Sequence, residues 1–323
     1  MRLATCSLML ALFLMANVAQ SQQIDPSFPL LGKTYGPAGI YIPDAVGISN
    51  TSLNPARQMS ITDISANNQV VEGDFGRLSL ANSNADWEIG NYSFVSKDRR
   101  AVGRISWNHF TVGHGIIPAT DPAEIAMRGD AWELIGAYRV NKHLDVGGAI
   151  VPEDATHSSL QLQGQTLASG GSRSQRQGRV GAYYHAGKLG LGYEAGWERG
   201  VVSSSILGNA PVSSGYNQDH TTYGASWSPK LGTTAFYNRQ RFNLKNEALG
   251  LVTKTDYWGV QQALSRKVIA QIARSDKATA LSATWLPDDR YGLNVSYTNR
   301  AFSTSEAAYG KGNLTFVSLW KSF

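Results

Sequence analysis

Val180-Gly181-Ala182-Tyr183-Tyr184-His185-Ala186-Gly187-Lys188-Leu189-Gly190-Leu191-Gly192-Tyr193-Glu194-Ala195-Gly196-Trp197-Glu198 alternates on both sides of one tight turn. Val180, Ala182, Tyr184 and Ala186 precede Gly187-Lys188; Leu189, Leu191, Tyr193, Ala195 and Trp197 follow it. Gly190, Gly192, Glu194, Gly196 and Glu198 occupy the other phase. Successive side chains of a strand point to opposite faces, so this is a hairpin with one apolar and one small or charged face. An apolar face against lipid and a wet face inward is the pattern of a transmembrane β-barrel.

The alternation recurs outward from that hairpin. Trp132, Leu134, Gly136, Tyr138 and Val140 share a phase, and Leu144, Val146, Gly148 and Ile150 follow a short turn at Asn141-Lys142. Thr279, Leu281, Ala283 and Trp285 lead through Pro287-Asp288-Asp289 to Tyr291, Leu293, Val295 and Tyr297. Taken along the chain, the pattern predicts strands at 75–82, 86–95, 101–110, 130–139, 144–151, 177–186, 189–199, 219–228, 231–242, 253–263, 266–274, 277–286, 290–300 and 312–323. The expected fold is all-β, an antiparallel transmembrane barrel of 14 strands within a range of 12–16. Connections at 96–100, 140–143, 187–188, 229–230, 264–265 and 287–289 are tight, whereas those at 111–129, 152–176, 200–218, 243–252 and 301–311 are longer. Short periplasmic turns alternating with longer external loops suit an outer-membrane barrel, although 83–85 and 275–276 are short out of turn.

Composition agrees. The chain carries 33 Gly, 14 Tyr, 10 Phe and 8 Trp, with only 16% charged residues, against about 25% in ordinary soluble domains. Arg2, the apolar run Leu8 to Met15 and the small residues through Ala19 and Ser21 read as a secretory signal over 1–21, cleaved after Ala19 or Ser21. Its removal takes Cys6, the sole cysteine, and with it any disulfide or thiolate metal site. Residues 22–70 lack a clean period and hold prolines and glycines, as a periplasmic or plug-like segment ahead of a barrel over 71–323. The net charge of +5 is scattered rather than clustered, which argues against nucleic acid as a partner.

The chain ends Leu314-Thr315-Phe316-Val317-Ser318-Leu319-Trp320-Lys321-Ser322-Phe323. A last strand closing on phenylalanine resembles the signal read by the outer-membrane barrel assembly machinery, with Phe323 and Trp320 as its aromatic residues. Lys321 departs from that pattern and Trp320 stands one place out of phase. Asp44-Ala45 followed by Asn54-Pro55-Ala56 is similar to the N-terminal region of the outer-membrane long-chain fatty-acid transporter family, with Arg57 where that family usually has glycine. That resemblance implies a fourteen-stranded barrel with an N-terminal plug and a hydrophobic cargo.

Charged residues on expected inward positions are Arg104, Glu133, Arg139, Asp145, Arg179, Glu194, Glu198 and Arg300. Such side chains set the field of a wet lumen. No catalytic constellation is legible: His157-Ser158 are adjacent in a polar stretch without an orienting third group. Neither the histidine spacing nor the glycine pattern offers a metal or phosphate motif, so no cofactor is expected. The sequence alone therefore favours a porin-like channel for small polar or weakly anionic solutes in the outer membrane of a Gram-negative bacterium. Carriage of a hydrophobic ligand, and a non-enzymatic anchor within a surface-polymer or secretion assembly, stand as alternatives. Expected partners are outer-membrane lipids and the assembly machinery.

Overall fold

The computed structural model describes residues 54–64, 68–79, 84–116, 123–162, 165–206, 208–230, 232–246, 250–265, 267–275, 279–288, 290–299 and 313–323. The expected signal, the Asp44-Ala45 pair and Arg300 lie outside them. The strands are β1 (Gln69–Ser79), β2 (Asn84–Val95), β3 (Ala101–Ile116), β4 (Ala123–Asn141), β5 (Leu144–Leu162), β6 (Gln165–Ala186) and β7 (Leu189–Ile206). They continue as β8 (Val212–Lys230), β9 (Thr233–Asn246), β10 (Gly250–Ala263), β11 (Val268–Ser275), β12 (Thr279–Asp288), β13 (Tyr291–Asn299) and β14 (Asn313–Ser322). Each pairs antiparallel with its neighbours in sequence, and β1 closes the ring against β14 with Gly73 opposite Leu319. Closure leaves no unpaired edge, the condition for a sheet to cross lipid.

Period two decides the two faces. On β7, Leu191, Tyr193 and Trp197 are exposed while Gly190, Glu194 and Glu198 are buried. Exposed aromatics gather in two bands. Phe94, Tyr138, Tyr184, Trp227 and Tyr291 lie toward the short turns, Trp132 and Trp197 toward the opposite end, and Tyr223, Tyr237 and Trp258 between the two. From Leu189 to Trp197 the strand rises roughly 26 Å, on the order of the ~25 Å apolar band of outer-membrane barrels. The chain therefore spans a membrane with strands; among the described residues no helix is long and apolar enough to do so.

The strand count and the antiparallel barrel agree with the sequence reading, but the strand lengths differ. The stretch 152–176, expected as an external loop, is largely strand: β5 runs to Leu162 and β6 starts at Gln165. Likewise β4 begins at Ala123 and β8 at Val212. Above the lipid neither face needs apolar residues, so Ser, Gln and Thr keep the backbone ladder without the alternation that marks a membrane strand. At the start, β1 opens at Gln69, with Val71, Gly73 and Phe75 in the outward phase and Glu72 and Asp74 buried.

Candidate functional site

A 3₁₀ turn (Pro55–Ser60) followed by one α-turn, α1 (Ile61–Ile64), lies inside the barrel against β3, β4, β5 and β6. Its start is written in Asn54-Pro55-Ala56. The Asn54 side chain caps the turn by accepting from the Ala56 amide at 3.0 Å, and Pro55 sits where a missing N–H costs nothing. The same carboxamide also holds the wall: its Nδ2 donates to the carbonyls of Ala182 at 2.9 Å and Tyr193 at 3.0 Å, opposed residues of β6 and β7.

Two glycines make that approach possible. A Cβ on Gly147 would lie 2.6 Å from the Ala56 nitrogen, and one on Gly181 would collide with the Asn54 carboxamide. Gly147 and Gly181 face each other across β5 and β6, so backbone meets backbone where the turn touches the wall. Arg57 lies over the Tyr183 ring at 4.3 Å, a cation–π contact on buried partners. Beyond it, Met59 and Ile61 join Val70, Val95, Val102, Ala137 and Trp320 in an apolar cluster near the short-turn end. Gln58 turns the other way, toward the lumen charges, and accepts from Arg104 at 3.3 Å.

Those charges are matched in pairs. Arg104 meets Glu72 at 2.9 Å, Arg139 meets Asp145 at 3.0 Å, and Arg179 meets Glu133. Glu194 pairs with His220 at 2.8 Å, and Glu198 accepts from the Tyr216 hydroxyl. Of the sequence-derived candidates, Arg104, Glu133, Asp145, Arg179, Glu194 and Glu198 are buried, Arg139 is half-buried beside the short turns, and Arg300 is not among the described residues. Trp320 is buried over Gly292, whereas Phe323 is exposed.

Sequence reasoning missed three elements of this interior. Glu72 is missing from the inward set because the alternation is read from residue 75, although Val71, Gly73 and Phe75 already alternate. The dual role of Asn54 carried only its capping signal. The third is the uneven wall: the buried charges of the described strands all lie on β1–β7, while β9–β14 present Asn238, Gln261, Gln271, Thr284, Asn294 and Ser318.

Behind the turn, on the outer wall, lies a depression of ≈ 570 Å³. Gly103, Gly136 and Gly148 stand opposite one another on β3, β4 and β5, and Phe94, Tyr138 and Val146 rim them. A Cβ on Gly136 would meet no atom within 4 Å. The wall here is little thicker than backbone: glycines outside, and Gly147 with the Pro55 turn inside. Among the described residues no cluster of His, Cys, Asp and Glu is arranged to hold a metal ion.

No protein-family model matches the sequence, and comparison with curated proteins finds no match. The fold does match solved structures. The toluene transporter TbuX of Ralstonia pickettii superimposes with a TM-score of 0.56 at 13% identity, covering 91% of this chain and 99% of that one. A FadL homologue of Pseudomonas aeruginosa gives 0.56 at 9% identity, with 91% and 97% covered. The toluene transporter TodX of Pseudomonas putida gives 0.53 at 10%, with 91% and 97% covered. The chain thus has the fold of fourteen-stranded outer-membrane transport barrels, in line with the resemblance carried by Asn54-Pro55-Ala56.

Proposed function

We propose that this barrel passes small hydrophobic molecules through the outer membrane, rather than the polar or weakly anionic solutes that lumen charge alone suggested. The observation that carries this reading is the apolar depression on β3–β5, backed through a glycine wall by the turn at Asn54-Pro55-Ala56. The shared fold with transporters of toluene supports it. Against a polar pore stands the pairing of the lumen charges. Arg104, Arg179 and His220 each face a carboxylate at contact distance, so little net field is left to select an anion.

The magnitudes suit a carrier of transient passengers. On the lipid side a ring gains no hydrophobic free energy by leaving hydrocarbon for the wall, because lipid tails are as apolar as the side chains, while immobilisation costs at least about 4 kcal/mol. Residence is therefore short, as passage requires.

The test is uptake of radiolabelled toluene by cells that hold the protein as their only induced outer-membrane barrel. Uptake should exceed that of cells without it, and Gly136→Trp, which fills the depression from the outside, should cut the excess at least several-fold. A barrel that leaves toluene uptake unchanged yet speeds a small sugar or carboxylate would overturn the reading.

A further inference from the structure

The outward face of β6–β10 breaks a rule of sheet design. Arg176 of β6 stands directly opposite Arg199 of β7, and Arg241 of β9 directly opposite Lys254 of β10. All four side chains are exposed, and none has a hydrogen bond or ion pair among the described residues. Like charges opposed across two strands destabilise the pair, and carboxylates that could relieve it lie nearby but are not used. Asp256, one outward position below Lys254, is taken by Arg239 at 2.7 and 2.9 Å and by the Tyr237 hydroxyl at 2.6 Å. Asp219 of β8 lies opposite Trp197 and accepts from Asn243 at 3.4 Å.

Their height on the barrel is as specific as their pairing. Arg199 follows Trp197 by one outward position, and Arg241 and Lys254 stand two outward positions beyond Tyr237 and Trp258. Counted from the strand ends at the short turns, the four cations stand eight to ten residues along their strands, at or beyond the level of Trp197 and Trp132, which stand eight and nine residues along theirs. The cations therefore sit where hydrocarbon gives way to headgroups, at the external surface of the outer membrane. Arg173, also exposed and opposite Val201, adds a third guanidinium beside the first pair.

We propose that these two cation pairs form a docking surface for the phosphate groups of the phosphorylated glycolipid in the outer leaflet. A phosphate seated between two opposed cations, whose Cβ atoms are about 5 Å apart, accepts charge-assisted hydrogen bonds from both and removes the repulsion. Guanidinium groups suit this anion because their planar donors match its oxygens two at a time. Arg199 faces Asn217 of β8 and Arg241 faces Thr221, so the two pairs are two strand spacings and four residues apart, roughly 16 Å, and each pair seats a phosphate group of its own. The surface lies on the lipid side of the wall and is independent of what the lumen carries.

The test uses the full barrel purified in neutral detergent, with lipid A and its enzymatically dephosphorylated form as probes and native mass spectrometry as readout. Phosphorylated lipid A should bind at least ten-fold more tightly than the dephosphorylated form. Arg176→Gln with Arg199→Gln, and separately Arg241→Gln with Lys254→Gln, should each remove most of that difference. Arg176→Lys with Arg199→Lys should keep it, as should Arg274→Gln, which removes an exposed cation of β11 that has no opposed cation. Heat-modifiable electrophoretic mobility of every variant establishes that it has folded. Equal binding of both lipid forms, equal binding by the glutamine variants, or displacement of the lipid by inorganic phosphate at matched concentration would each overturn the proposal; the last result means an adventitious ion only.

Discussion

Asn54 does at residue scale what a loop residue seldom does: one carboxamide caps a turn through its oxygen and grips two strands through its nitrogen. Replacing it with alanine leaves the Ala56 amide and two wall carbonyls without that partner, a loss of about 1–3 kcal/mol for the buried turn. Only the turn depends on it, because the ladder between β6 and β7 is complete without it. Amide exchange at Ala56 and Arg57 should therefore speed up about 10–100-fold in Asn54→Ala, with barrel mobility unchanged. Gly181→Val should give the same acceleration with Asn54 intact, since a side chain there displaces the carboxamide. Unchanged protection in both variants would mean that the turn is held by its apolar cluster alone. Asn, Pro and Ala in a row announce a capped turn, so that half was legible in the sequence; the grip on residues 128 and 139 positions away was not.

β14 separates at element scale two aromatic residues that the sequence joined in one assembly signal. Phe323 is 51% exposed on the lipid side, while Trp320 is 6% exposed and packs with Val70, Val95 and Ile61 inside the barrel. They should fail differently. Trp320→Ala opens a cavity in the apolar cluster and should lower stability by about 3–5 kcal/mol, read from the urea midpoint in detergent. Phe323→Ala removes an outward ring, and should slow insertion by the assembly machinery while moving that midpoint by less than 1 kcal/mol, the usual size of a surface change. Equal midpoints for the two variants would sink the division. The phase of the terminal strand could have given it: Lys321 and Phe323 share one face, Trp320 and Ser322 the other. The same reasoning explains the extended hairpins. Alternation reports contact with lipid, so strands stayed legible within the apolar band and vanished from the sequence where β5 and β6 rise beyond it.

The uneven interior is a property of the whole molecule. Among the described residues the buried charges of the strands lie on β1–β7, where Arg104, Arg139 and Arg179 each meet a carboxylate; neutral amides and hydroxyls line β9–β14, and the turn at Asn54 to Ile64 occupies the lumen beside β3–β6. A barrel so filled should be electrically quiet. In planar bilayers we expect no steady ohmic conductance from single insertions, and a sustained porin-like current in the intact protein would count against the plugged arrangement. The closed ring, its fourteen members, the side each strand turns to lipid and the end that carries short turns were all determined by the sequence itself. Each rests on period two and on turn residues, which are local. Which charges meet was decided only by tertiary structure: Arg104 finds Glu72 across 32 residues, Arg179 finds Glu133 across 46, and Arg176 is set against Arg199. The reason is register, because sliding one strand by a single residue turns every side chain to the opposite face, and only the closed ring fixes all fourteen registers together.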